Sequence, residues 1–192
     1  MIKGNIFQMF YRFIKKNKYF ALILMLLLTI TFRANALIDS EGNFYSKKFK
    51  LTFKKPPGKL LASGVAVFFN MPGVLVQYVN PVERITYTII GLKTKMPLSK
   101  IGEFLRFHIS GPARNVEVVE DNIWLMKENA ITLMQRYKCF VKKMMFYINV
   151  FIMMHKNKRW KKAALMIASP HHHFKRLRYE GYNAYLTMKF ID

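Results

Sequence analysis

The sequence predicts an α+β protein, with short antiparallel strands over about 44–120 and a long basic amphipathic helix over about 121–168, behind an N-terminal apolar segment. Three observations predict it. Phe49-Lys50-Leu51-Thr52-Phe53 alternates apolar and polar side chains, as a half-buried strand does. Asn70-Met71-Pro72-Gly73 puts Pro and Gly at the central positions of a type II turn, between two β-branched and aromatic runs. From Ile123 onward, apolar residues recur at three- and four-residue steps, the spacing of one helical stripe: Met126, Ala130, Leu133, Tyr137, Phe140, Met144, Ile148 and Phe151.

The N-terminal segment comes first in the chain. Residues 1–18 carry Lys3, Arg12, Lys15, Lys16 and Lys18 and no acid. Tyr19 to Phe32 then runs fourteen residues without a charge, followed by Arg33, Ala34-Asn35-Ala36 and the acidic stretch Asp39-Ser40-Glu41. A basic region, a short apolar region and a small-x-small site in this order describe a secretory signal peptide. Fourteen helical residues reach only about 21 Å, short of the roughly 30 Å hydrocarbon core of a bilayer. Cleavage after Ala36 is therefore expected, with a retained membrane anchor, a buried core helix or an organellar targeting segment as the alternatives. Residues 37–192 are expected to form a single domain.

The strand region follows. After the 49–53 strand, Lys54-Lys55-Pro56-Pro57-Gly58 breaks the pattern. Leu60 to Val79 is twenty residues without a charge, enough on length for a membrane span. The Pro72-Gly73 turn instead predicts a hairpin of strands 64–69 and 74–79. Further strands are expected over Arg84–Ile90, Leu105–Ile109 and Asn115–Val119. Asp121 is placed to cap the long helix, with Glu117 and Glu120 at the positive end of its dipole.

Charge is the strongest compositional feature. Thirty-two Lys and Arg against ten Asp and Glu give a formal net charge of +22, and removing residues 1–36 leaves +16. Such a chain is drawn to polyanions. Met144 to Met154 is uncharged and lies between Lys142-Lys143 and the run His155-Lys156-Asn157-Lys158-Arg159-Trp160-Lys161-Lys162. A helix here could pack its apolar face against the sheet and leave the charges solvated, or it could lie in a bilayer interface, with Ile148 and Phe151 buried in lipid, Trp160 at the headgroups and the cations on acidic lipid. Lys175, Arg176 and Arg178 extend the basic surface. The expected partner is an anionic membrane surface or an acidic protein. Nucleic acid is second choice, because no recognition motif frames these cations.

Catalysis has little support. The sequence contains no Gly-rich phosphate loop and no Gly-x-Ser-x-Gly elbow. Cys139 is the lone cysteine and cannot form an internal disulfide. His171-His172-His173 lack a nearby Cys or acid to complete a four-ligand metal site. No catalytic residue, cofactor or metal site is therefore assigned. The expectation is a non-catalytic exported basic binding protein, secreted or periplasmic. The alternative is a basic structural subunit of an organellar ribosome or membrane complex.

Overall fold

The computed structural model describes residues 36–191 except 58, 62–72, 111–112 and 142. Of these, the residues from Ile38 onward form one compact unit. The predicted first strand of the hairpin, 64–69, and the Pro72 turn position lie outside the described residues, as does the apolar N-terminal segment.

The described chain is built mainly of antiparallel sheet, and the long helix expected over 121–168 is absent. In its place run four consecutive strands: β7 (Arg114–Lys127), β8 (Ala130–Val141), β9 (Met144–His155) and β10 (Lys161–Pro170). They join β4 (Leu60–Leu61), β5 (Val74–Asn80) and β6 (Ile85–Lys93) in a seven-stranded sheet of order β4-β5-β6-β10-β9-β8-β7. A small sheet of order β1-β2-β3-β11 contains β1 (Ala36–Ile38), β2 (Phe44–Ser46), β3 (Leu51–Phe53) and β11 (Lys189–Phe190). Two helices accompany them among the described residues, α1 (Leu98–Ser110) and α2 (Phe174–Thr187). No described helix is long and apolar enough to cross a membrane.

The reason for the departure is that the large sheet is covered on both faces. One face packs on α1, whose Leu98, Ile101, Leu105 and Ile109 meet Leu133, Tyr137, Cys139, Ile148, Val150 and Met166. The spacing of those four α1 residues is helical, so the strand expected over Leu105–Ile109 is corrected to the second half of a helix. The other face packs on α2. Tyr185 stacks on Phe151 with centroids 4.7 Å apart, and its hydroxyl bonds Thr132 Oγ1 at 3.0 Å. Every residue of β10 is buried. Strands covered on both sides need no polar face, so they lose the alternation that marks a strand in sequence.

The expected stripe therefore disperses. Ile148 and Phe151 sit three residues apart on one strand, so they point to opposite faces. Ile148 belongs to the α1 side and Phe151 to the α2 side, and both are about fully buried (0% and 1% exposed). Neither forms a membrane-facing surface. Asp121 caps no helix: it lies in β7, where its Oδ1 accepts from Gln135 Nε2 at 2.7 Å. Glu117 and Glu120 pair with Lys138 and Arg136 across the β7–β8 ladder.

Strands over 74–79 and 84–90 are found as β5 and β6, and the 115–119 strand opens β7. Gly73 has φ +84°, the left-handed backbone that its position in the turn requires. Cys139 is buried on the α1 face, and burial pushes its thiol pKa up to about 11. That keeps it protonated and unreactive at neutral pH.

Candidate functional site

The charged residues singled out in the sequence do not form one surface. The ladder places them at opposite ends of the large sheet. The turn between β9 and β10 (residues 156–160) stands at one end, beside the β7–β8 turn and the end of β6. Lys156 N–H donates to Asn129 O at 3.1 Å, and Thr94 N–H donates to Trp160 O at 3.0 Å. Lys143, Lys175, Arg176 and Arg178 lie toward the other end. Lys143 is in the β8–β9 turn, and α2 begins after the far end of β10. The ten residues of β10 separate the two ends by about 30 Å. Lys142 is outside the described residues.

The 156–160 turn is shaped by its own sequence. His155 Nδ1 accepts the backbone N–H groups of Asn157 and Lys158 at 3.1 and 3.2 Å, and Lys161 N–H donates to Lys158 O at 2.7 Å. This turns the chain without Gly or Pro. Lys158 and Lys156 are half-buried, and Arg159 and Trp160 are exposed.

Lys161 and Lys162 are not part of an open basic face. Lys162 is 1% exposed, and its ammonium donates to Thr94 O at 2.6 Å and to Arg159 O. It is a strut that ties the turn to the end of β6. Burial lowers its pKa. Lys161 is also buried, and its pKa is lowered by burial first and then by Lys158, Lys50 and Lys93.

Two residues missed by sequence reading complete this end. Lys93 lies directly opposite Lys161 in the β6–β10 register, and Lys95 follows it, exposed, in the next connection. Like charges directly opposite each other on a ladder are destabilising. Here both ammonium groups stand 5.4 Å from the centre of the Trp160 ring, a distance at which its face attracts cations. Among the described residues, Lys93, Lys95, Lys156, Lys158 and Arg159 have no carboxylate partner. No local pattern could reveal Lys93 and Lys95, since 68 residues separate Lys93 from the strand it faces.

The far-end cations differ. Arg176 is engaged by Glu83 and Glu180, so it is not a free anion contact. Lys175 and Arg178 are exposed without an acidic partner among the described residues. His171, His172 and His173 form a single 3-10 turn before α2. No group of three metal-ligating side chains occurs among the described residues.

No family model matches the chain, and no curated protein matches it by sequence. Solved structures do share its fold. The solution structure of cyanobacterial PsbP (CyanoP) from Synechocystis sp. PCC 6803 aligns with a TM-score of 0.60 at 11% identity, covering 78% of this chain and 91% of CyanoP. The Saccharomyces cerevisiae Ran-binding protein Mog1p aligns with a TM-score of 0.51 at 13% identity, covering 80% of this chain and 97% of Mog1p. At these identities the likeness is one of fold.

Proposed function

We propose that the chain is a non-catalytic, exported binding protein that docks an acidic surface of another protein through the pole formed by Lys93, Lys95, Lys156, Lys158, Arg159 and Trp160. One observation carries this reading: a set of cations without acidic partners gathered around an exposed tryptophan, one of them, Lys93, facing the buried Lys161 across the ladder. Self-repulsion of this kind costs the free protein, and an acidic partner relieves it. A protein partner is favoured over an inserting membrane contact because Ile148 and Phe151 are core. Mog1p, described as Ran-binding, supports a protein partner for a chain of this fold. Export rests on residues 1–36, and the mature protein is expected to begin at Leu37. Mass spectrometry of protein from its own host checks this; recovery of intact Met1 species contradicts it.

Binding of polyglutamate at low salt tests the pole. Reversing Lys156, Lys158 and Arg159 to Glu is expected to weaken affinity at least about tenfold more than reversing Lys54, Lys143 and Lys175, which are exposed away from the pole and change net charge equally. Both affinities fall as salt screens them. Equal losses in the two variants mean diffuse attraction and contradict a localised site. A preference for RNA over polyglutamate at matched salt contradicts the acidic-protein partner.

A further inference from the structure

A separate recess of about 460 Å³ opens between α2 and the large sheet, within the size range of small-ligand sites. Its base is apolar where Phe151 and Met134 present their side chains, and Ile123 and Leu125 of β7 form one wall. Tyr179 and Tyr182 of α2 stand opposite, both exposed. Flat aromatic faces and a polarizable thioether suit a planar ring.

The charges on the lining are unbalanced. Arg136, Lys175 and Arg178 face a single carboxylate, Glu120. That carboxylate is already engaged, its Oε1 lying 2.6 Å from Arg136 Nη1, while Arg136 Nε donates to Asn149 Oδ1 at 2.7 Å. Lys175 and Arg178 have no acidic partner among the described residues. Burial lowers the Arg136 pKa, Glu120 raises it and the charge of Arg178 lowers it again, so Arg178 stands near Arg136 at the mouth of an apolar recess, without a carboxylate of its own among the described residues.

We propose that this recess binds a small aromatic carboxylic acid, its ring between the apolar wall and the tyrosines and its carboxylate on Arg178 and Lys175. The site is separate from the pole: none of the pole residues lines it. The test uses the full chain and two isosteric probes, 2-naphthoate and 2-naphthylmethanol, followed by calorimetry. The acid is expected to bind with a Kd below about 1 mM and the alcohol at least about tenfold more weakly, because a charge-assisted contact is lost. Arg178→Gln, on the exposed face of α2, is expected to weaken the acid about tenfold without changing thermal stability, while Ile123→Trp, which fills the recess from its wall, abolishes binding. The variant with Lys156, Lys158 and Arg159 reversed is expected to bind naphthoate like the unaltered chain, so failure at the pole and failure here are read separately. Equal binding of acid and alcohol overturns the proposal, as does no binding of the acid or undiminished binding by either recess variant.

Discussion

Changing Ile148 and Phe151 together to Ser is expected to abolish cooperative folding. Ile148 is fully buried in the cluster under α1, and Phe151 carries the Tyr185 ring at 4.7 Å on the opposite face. Removing a large buried side chain costs about 2–5 kcal/mol, through lost transfer energy and the cavity left behind. A hydroxyl without a partner in its place adds to that. Two such losses on opposite faces compare with the total stability of a typical domain, about 5–15 kcal/mol. Urea unfolding followed by circular dichroism checks this: each single variant shifts the midpoint strongly downward, and the double variant shows no folded baseline. Retention of the normal midpoint would mean that these side chains face outward after all.

The same two residues explain what the sequence concealed. Along 144–154 nearly every position is apolar because both faces of β9 are covered, so a period of two leaves no trace and a three-to-four-residue stripe can be drawn through it. The turns were hidden as well. Lys143 takes φ +68° without being glycine, and the 156–160 turn is closed by the His155 ring rather than by Gly or Pro. Where the usual signals exist they suffice: the strand at Leu51–Phe53 alternates, and β5 follows a glycine with positive φ. The site was half legible. Lys156, Lys158, Arg159 and Trp160 stand together in sequence, while their partners Lys93 and Lys95 come from a distant strand end. The burial of Lys161 and Lys162 depends on that same pairing, so the run of cations alone could not foretell it.

Gly91→Val is expected to be the other severe substitution. Gly91 lies on β6 opposite Ala163, and a Cβ there would fall 2.6 and 2.7 Å from ring carbons of Phe49 and 2.8 Å from a Leu75 methyl. Phe49 is buried at 4% exposure, so its ring cannot swing away freely. The absence of a side chain is what lets the segment before β3 close on the large sheet. Overpacking of this kind costs about 1–3 kcal/mol or more. Thermal unfolding should report the loss. Combining Gly91→Val with Phe49→Ala should then cost clearly less than the two losses added, because the wedge and the ring compete for one space. Strict additivity would show that the two do not meet.

The central claim is that the basic pole meets an acidic protein surface without entering a bilayer, and Trp160 can report on it directly. The chain has two tryptophans, so Trp124→Phe leaves Trp160 as the sole tryptophan, which excitation beyond the tyrosine absorption reads alone. Polyglutamate at low salt is expected to change the Trp160 emission, with the change reversed at high salt as screening sets in. Anionic vesicles carrying bromine on their acyl chains are expected to leave that emission unquenched. A blue shift with quenching by the acyl bromines, and no response to polyglutamate, would put Trp160 in lipid and contradict the account.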